Sequence, residues 1–235
     1  MKLLVLRPQP GADETAGRAI AKGLEPVVAP LFHIRPLDWQ APDPGEVEAV
    51  ILTSANAARH GGTQLAAFAA LPCYAVGEAT AAAAEAAGFN DVRTGPSDAA
   101  ALGGMMARDG MARALHLLGR DHVALDHPQI EIVERCVYAA EAADALPDAV
   151  RLALEGGPLA LLHSPRAAKL FGALIDAAGQ GRSGVSVAAI SEAAAAAAGC
   201  GWRSKGTALA PRDDALLELA AAMCKTGAQE MGIGG

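Results

Sequence analysis

Short runs of apolar residues alternate along the chain with longer stretches in which apolar residues recur at helical spacing. The runs that predict strands are 3–6, 27–34, 47–52, 73–77, 90–94, 114–118, 132–138, 159–162 and 185–190. The run 3–6 is continuously apolar and is broken by Arg7-Pro8, which is typical of a strand buried on both faces of a parallel sheet. The alternation of the runs with helical stretches predicts an α/β fold.

Glycines and capping residues mark the ends of the predicted helices. Helices are expected at 13–23, 55–70, 78–87, 99–108, 147–155, 165–178, 192–198 and 214–224, with one more of undefined length after Asp121. Asp13 is expected to cap the first helix, Pro96-Ser97-Asp98 the helix at 99–108, and Pro211-Arg212-Asp213 the last one. Residues 225–235 are glycine-rich and carry no pattern, so they are expected to be disordered.

One combination of strand and helix occurs twice in the sequence. Val50–Arg59 and Ala160–Lys169 both contain an apolar strand, a serine, two alanines and a basic residue in the same order. Leu3–Arg7 similarly resembles Leu115–Arg120. These echoes predict two parallel-sheet lobes of the flavodoxin or Rossmann type that are related by an internal repeat.

The order of the repeated units predicts how the two lobes divide the chain. Parallel strands are joined by short right-handed crossovers, so residues 35–143 can form one lobe. Residues 1–34 and 144–235 would then close into the other, discontinuous lobe. The segments 31–37 and 137–143 would form a two-stranded connector, with a cleft between the lobes.

Composition and charge narrow the class of protein. With 235 residues, the chain is long enough for one large or two modest domains. The formal net charge of −7 argues against general attraction to nucleic acid or to an anionic membrane, and no stretch is apolar enough to span a membrane. The four cysteines form no Cys-x-x-Cys pair, and no histidine stands at metal-binding spacing from them. The sequence therefore predicts a soluble, cytoplasmic protein with reduced cysteines.

Polar residues and glycines follow the predicted strands at the sheet edge where open α/β folds bind ligands. These candidates are Arg7, Thr53, Ser54, Asn56, Gly77, Thr80, Gly119, Arg120, Ser164, Arg166 and Ser191. Helix N-termini at such positions offer backbone N–H groups and a partial positive charge to carboxylate or phosphate. Two facing lobes would present several such ends, which favours an elongated polyanion as the ligand.

Purely structural explanations stay open for most of these residues. Thr53, Ser54, Thr80 and Ser164 are ordinary helix-capping residue types, and Gly77 suits a tight turn. Neither a G-x-G-x-x-G nor a phosphate-loop pattern is present, and the six histidines form no visible dyad with a nucleophile. No single residue determines a function.

Six short motifs stand out along the chain: Leu6-Arg7-Pro8, Leu52-Thr53-Ser54-Ala55-Asn56-Ala57, Ala75-Val76-Gly77-Glu78-Ala79-Thr80-Ala81, Val137-Tyr138, Leu162-His163-Ser164-Pro165 and Ala188-Ala189-Ile190-Ser191. Taken together, they resemble those of uroporphyrinogen-III synthases over residues 1–224. The order and spacing of these motifs carry the resemblance.

The resemblance implies a cyclising lyase of haem biosynthesis that needs neither cofactor nor metal. Its substrate would be hydroxymethylbilane, a linear tetrapyrrole, which loses water, inverts ring D and closes to uroporphyrinogen III. The proton donor implied is Tyr138. Backbone N–H groups near Ser54, Gly77 and Ser164 would hold carboxylates, helped by Arg7, Arg120 and Arg166. No macromolecular partner is expected, and the protein is expected to be monomeric.

The sequence departs from the family pattern in the second lobe. Many family members have Gly-Pro-Thr-Thr where this chain has Ser191-Glu192-Ala193-Ala194, and His163 stands where Thr or Ser is common. The hydroxyl missing at Ala194 leaves open a second hypothesis, a catalytically degenerate two-lobe module that binds a tetrapyrrole or another anion. A third hypothesis, an enzyme acting on nucleotides or sugar phosphates, is disfavoured because the phosphate-loop motifs are missing.

Overall fold

The computed structural model describes residues 1–95, 99–122 and 124–232. Its strands are β1 Lys2–Val5, β2 Glu25–Val28, β3 Phe32–Pro36, β4 Ala49–Leu52, β5 Cys73–Val76, β6 Val92–Gly95, β7 Arg113–Gly119, β8 Glu131–Ala142, β9 Leu159–Leu162, β10 Ser186–Ala189 and β11 Ser204–Thr207. Its α-helices are α1 Gly11–Ala21, α2 Ala55–His60, α3 Glu78–Ala86, α4 Ala99–Arg108, α5 Asp148–Leu154, α6 Pro165–Ala177, α7 Glu192–Ala198 and α8 Asp213–Gly232.

The strands form two sheets, and the chain divides into two compact units. Unit 1 comprises Met1–His33 and Ala142–Gly235, and unit 2 comprises Ile34–Glu141. The five-stranded sheet has the order β11-β10-β9-β1-β2, and the six-stranded sheet has the order β3-β8-β7-β4-β5-β6. All neighbours in the first sheet and all those from β8 to β6 in the second run parallel. The predicted α/β fold with parallel sheets is confirmed.

The central strands are buried on both faces, which explains their continuous apolar sequences. Every residue of β4 and of β9 is 0% exposed. In unit 1, α1 and α8 contribute small and aliphatic residues such as Ala19 and Leu217 to the core around β1 and β9. Small alanine side chains let the helices lie close to the sheet, so close packing rather than aromatic bulk fills this core.

Three predicted elements near the N-terminus differ from the structure. The strand predicted at 27–34 is two strands in different sheets, because the Ala29-Pro30 segment interrupts β2 before β3 begins. Helix α1 begins at Gly11, so Asp13 lies in its first turn and is not its N-cap. The helix predicted at 55–70 ends at His60, where Gly61 and then Gly62 (φ +70°) turn the chain into a 3-10 segment.

Two further expectations fail in the second half of the chain. Instead of a helix after Asp121, the described residues up to Ile130 form a loop closed by a bridge between His127 and Ile130. The tail expected to be disordered from residue 225 continues α8 as far as Gly232. Residues 226–231 are mostly good helix formers, and this outweighs the nearby glycines. Residues 233–235 lie outside the described part of the chain, as do residues 96–98 of the cap predicted for α4.

The described residues contain no helix with the length and hydrophobicity needed to cross a membrane.

Candidate functional site

In unit 2, four of the predicted residues lie at one edge of the sheet. Thr53, Gly77 and Gly119 follow or end the parallel strands β4, β5 and β7, so they share the carboxyl edge of the sheet. Tyr138 is in β8 and pairs with Gly119, after a register shift of the ladder between Leu118 and Gly119. Ligands of open parallel sheets bind at this edge.

Tyr138 rests against the backbone of Gly119. A methyl group added at Gly119 would lie 2.6 Å from Cζ and 2.9 Å from the hydroxyl oxygen of Tyr138, so only glycine leaves room for this ring position. The His60 ring is next to the Tyr138 ring, with a centroid separation of 6.3 Å and an angle of 41° between the ring planes. Arg120 N–H donates to the Tyr138 carbonyl at 2.9 Å. The half-buried phenol therefore lies between the Gly119 backbone and the His60 ring.

The remaining polar residues of this edge are engaged locally. The Ser54 hydroxyl caps α2 by accepting from the backbone N–H of Asn56 at 3.2 Å, so the capping interpretation is confirmed for Ser54. Gly77 has φ +75° and precedes α3, and its carbonyl accepts from the N–H of Thr80. The Thr80 side chain is only 5% exposed and does not cap the helix.

In unit 1, Arg7, Ser164 and Ser191 share the corresponding edge, because they follow the parallel strands β1, β9 and β10. Ser164 caps α6 by accepting from Ala167 N–H at 3.1 Å, and Ser191 caps α7 by accepting from Ala194 N–H at 3.3 Å. Each hydroxyl keeps its own hydrogen, which it can donate to an anion at the helix N-terminus.

The three arginines predicted to hold carboxylates already contact other groups. Arg7 Nη1 lies 3.6 Å from Asp213 Oδ1 and donates to the Thr15 hydroxyl at 3.3 Å. Arg120 forms an ion pair with Glu141 at 3.2 Å. Arg166 stacks on the Phe32 ring at 4.5 Å from its centroid.

Asp213 is the centre of a buried polar cluster that the sequence analysis did not find. Its Oδ1 accepts hydrogen bonds from Thr15 at 2.9 Å and from His163 at 2.8 Å, and its Oδ2 lies 2.7 Å from Arg18 Nη2. Burial raises the pKa of Asp213, but the hydrogen bonds from His163, Arg18 and Thr15 outweigh it and hold the pKa well below its usual range. The carboxylate is therefore ionised over the whole neutral range.

A second polar cluster surrounds His116 in unit 2. The imidazole is 0% exposed; its Nε2 lies 3.2 Å from the Thr53 hydroxyl and its Nδ1 lies 3.7 Å from Glu134 Oε1. The other oxygen of Glu134 lies 3.6 Å from His122 Nε2. Burial, with a smaller contribution from the charge of His122, lowers the pKa of His116 to about 4. Thr53 thus contacts a neutral buried imidazole and is not a helix cap.

The profile of the family described as Uroporphyrinogen-III synthase HemD matches residues 13–218. The chain belongs to the uroporphyrinogen-III synthase family. No curated protein matches it. Among solved structures, the uroporphyrinogen-III synthetase of Helicobacter pylori 26695 is similar, with a TM-score of 0.65 and 17% identity over 94% of this chain and 98% of that chain. A mutant uroporphyrinogen III synthase of the extremely thermophilic bacterium Thermus thermophilus matches with a TM-score of 0.51 and 16% identity, over 96% and 99% of the two chains.

Membership of the uroporphyrinogen-III synthase family confirms the resemblance found in the motifs. The similar structures, at 16–17% identity, establish the fold alone. Within the described residues, no group of three or more His, Cys, Asp or Glu side chains is arranged to hold a metal ion.

Sequence reasoning missed His116, Glu134 and Asp213 for a common reason. The register of β7 and β8 brings His116 opposite Glu134, and no local pattern specifies that register. The available signal was the charged pair Glu134-Arg135 inside the predicted strand 132–138. Asp213 was assigned to a helix cap, and its link to His163 appears only once α8 is packed against β9.

Proposed function

We propose that the chain is an active uroporphyrinogen-III synthase, which converts hydroxymethylbilane to uroporphyrinogen III with loss of water and inversion of ring D. The observation that carries the proposal is the phenol of Tyr138, held on Gly119 at the carboxyl edge of the unit 2 sheet. Family membership over residues 13–218 supplies the reaction to which this group is assigned.

In the proposed reaction, Tyr138 acts as the general acid. The bond between the terminal carbon and its hydroxyl oxygen breaks, and the phenol hydrogen passes to the departing oxygen so that water leaves. The resulting electrophile is attacked by the substituted carbon of ring D to give a spirocyclic intermediate, which rearranges and closes the macrocycle. The proton that ring D releases as it regains aromaticity after closure returns to the Tyr138 oxygen, so the acid is restored. The linear substrate can also close unaided without inversion. The main task of the protein is therefore to favour one folded conformer of the bilane and its transition state.

The substrate carboxylates would be bound mainly by neutral donors. The first turns of α3 and α6 present backbone N–H groups beside Gly77 and Ser164. Arg7 and Arg120 take part only as members of ion pairs with Asp213 and Glu141. The chain has a formal net charge of −7, so it offers a polyanionic substrate no general attraction. Backbone N–H groups can still bind carboxylates, and no unpaired arginine or lysine has to be removed from water for this purpose.

We also propose that the protein is monomeric and cytoplasmic, uses no cofactor or metal, and acts on this small molecule rather than on a nucleic acid or a membrane. The proposal also includes two lobes related by an internal repeat, with the segments 31–37 and 137–143 as their connector. The similar position of Ser54 and Ser164, each capping the helix that follows a fully buried strand, supports the repeat.

The test is an isomer assay with freshly prepared hydroxymethylbilane, followed by oxidation and separation of the products. Type III product in excess of the uncatalysed reaction supports the proposal, whereas type I product alone contradicts it. Tight binding of the tetrapyrrole without inversion would instead favour the degenerate binding module. That alternative is considered because Ala194 replaces a hydroxyl residue of the family pattern.

The Tyr138→Phe variant tests the assigned acid. It is expected to lower turnover by roughly 10²–10⁴, the usual range for loss of a general acid. Tyr74→Phe is the matched control, because the Tyr74 hydroxyl is already engaged by hydrogen bonds with Asp109 at 2.7 Å and with Arg93 at 2.8 Å. Equal turnover in wild type and Tyr138→Phe would remove Tyr138 from the acid role.

A further inference from the structure

The Thr53 hydroxyl and the His116 imidazole share one hydrogen bond whose direction decides what Thr53 can offer a ligand. The 3.2 Å contact joins Thr53 Oγ1 to His116 Nε2. If Nε2 carries a hydrogen, it donates to Thr53, and the threonine hydroxyl is free to donate onward. If Nε2 is bare, Thr53 must donate to it, and only the lone pairs of the threonine oxygen remain for a ligand.

His116 carries a single ring hydrogen at neutral pH. Its ring is fully enclosed, and the loss of water on burial disfavours the doubly protonated, charged form. The choice is therefore between two neutral tautomers, one with the hydrogen on Nδ1 and the other with it on Nε2.

Glu134 selects between these tautomers. Its Oε1 is 3.7 Å from His116 Nδ1, a buried atom that has no hydrogen-bond partner among the residues described. A carboxylate attracts an N–H group and repels a nitrogen lone pair, so the hydrogen belongs on Nδ1. His122 is the other titratable group at this carboxylate, with Nε2 at 3.6 Å from Oε2. The Nδ1 of His122 contacts the Gly119 carbonyl at 3.1 Å and so carries a hydrogen, since a carbonyl only accepts.

We infer that His116, with Nδ1–H directed at Glu134, acts as a positioning residue that makes Thr53 a hydrogen-bond acceptor, and that Thr53 receives a pyrrole N–H of the substrate. This assignment rests on the proposed function for the identity of the ligand. It differs from the anion-binding role that the sequence suggested for the candidate residues at this sheet edge, Thr53 among them. Ser54, Gly77 and their backbone N–H groups are left to hold the carboxylates on this edge.

The tautomer is tested directly by long-range proton–nitrogen NMR on the full-length, ¹⁵N-labelled protein, with His116→Gln used to identify the signals. A hydrogen on Nδ1 and a bare Nε2 are expected at neutral pH. The Glu134→Gln variant, which keeps the side-chain shape and removes the charge, is expected to increase the share of the other tautomer. A hydrogen on Nε2 in the wild type, or on both nitrogens, would overturn the inference.

Ligand recognition is tested by binding uroporphyrinogen III without oxygen and, in parallel, its N-methylated analogue, which keeps the carboxylates but lacks pyrrole N–H groups. Thr53→Val is expected to weaken binding of the parent compound about two- to tenfold, the usual worth of one hydrogen bond, and to leave the binding of the analogue unchanged. Thr53→Ser, which keeps the oxygen, is the control. An equal loss for both ligands, or no loss for either, contradicts the role assigned to Thr53.

Failure of this inference and failure of the proposed function are separable. If only type I product forms in the isomer assay while the hydrogen lies on Nδ1, the proposed function is wrong and Thr53 is still an acceptor. If type III product forms and the hydrogen lies on Nε2, the function stands and the role of Thr53 is wrong.

Discussion

The absence of a side chain at Gly119 makes room for the ring of Tyr138. The Gly119 backbone needs no special conformation; what excludes a larger residue is the ring of Tyr138, whose Cζ would lie 2.6 Å from an added methyl group. Real methyl carbons do not approach a ring so closely, so the ring would have to move. Glycine at this position therefore controls the direction of the phenol.

If Tyr138 is the acid as proposed, Gly119→Ala is expected to lower turnover by roughly 10- to 100-fold, because a displacement of about 1 Å in such a group can have this effect. Gly104→Ala is the matched control, since a methyl group there meets only Arg108 Nη1 at 3.7 Å. Steady-state kinetics alongside thermal unfolding separates the two effects. Wild-type turnover in Gly119→Ala would show that the ring can shift without consequence.

Burial of His116 makes the stability of the protein depend on pH. The folded pKa of about 4 lies below the value of about 6.5 expected in the unfolded chain. Between these values the unfolded state binds more protons, so the contribution is fully present above pH 6.5 and is lost as the pH falls towards 4. The shift corresponds to a free energy on the order of 3 kcal/mol.

In His116→Gln, the free energy of unfolding is expected to fall less between pH 7 and pH 4 than in the wild type, by on the order of 3 kcal/mol. Denaturant titrations at several pH values measure this difference. His33→Gln is the control, because His33 is exposed and its removal should leave the pH profile unchanged. Parallel profiles for wild type and His116→Gln would refute the effect.

Helix caps connect the elements of this fold to its proposed chemistry. Ser164 both begins α6 and stands at the carboxyl edge of the unit 1 sheet. Asparagine and aspartate cap helices about as well as serine, but only aspartate would bring a negative charge to the carboxylate site proposed at α6. A pair of substitutions therefore separates capping from ligand binding.

Ser164→Asp and Ser164→Asn are both expected to unfold at nearly the wild-type temperature. Ser164→Asp alone is expected to raise KM about tenfold, from like-charge repulsion over a few ångströms. Thermal unfolding and steady-state kinetics on both variants test this expectation. If the two variants have the same KM, no carboxylate binds at α6.

The elements that the sequence predicted well are those whose limits are set locally. Strand β9 and helix α7 begin and end at the expected residues, because glycine, proline and a capping serine flank them. The segment after Asp121 has mixed polar and apolar residues, which are compatible with both helix and loop, and pairing of β8 with β7 decides the outcome. The split between β2 and β3 likewise depends on which sheet each strand joins, and local propensity does not encode this.

The site was predictable to the same extent and for the same reason. Residues at strand ends, such as Thr53 and Ser164, could be placed because parallel strands end together. Their hydrogen-bond partners could not, since His116 and Asp213 reach them only through tertiary packing. The ion pairs of Arg7 and Arg120 could not be predicted either, because Asp213 and Glu141 are far from them in sequence.

On the scale of the whole molecule, Asp213 joins segments that are distant in sequence. It belongs to α8, whereas Thr15 and Arg18 belong to α1, 198 and 195 residues away. These contacts hold the two pieces of the discontinuous unit 1 together. Loss of the charge should therefore weaken the whole of unit 1 rather than α8 alone.

Asp213→Asn is expected to lower the free energy of unfolding by roughly 2–4 kcal/mol, because it leaves the partners of a largely buried carboxylate unpaired. The contribution of the wild-type carboxylate is present above the unfolded pKa of about 3.9 and is lost as the pH falls through its lower, folded pKa. Asp214→Asn, at an exposed neighbouring position, should cost less than about 1 kcal/mol. Similar stabilities of the two variants in denaturant would contradict the role given to Asp213.

The position of β1 in its sheet also bears on the synthesis of the protein. Leu3 pairs with Pro26 on one side and with Leu159 on the other. As the chain leaves the ribosome, β1 can meet β2 early but must wait for its second neighbour until the whole of 34–141 has been made. That continuous segment can complete its own sheet in the meantime. Translation from the N-terminus thus favours an order of folding in which the part of the chain made first is finished last.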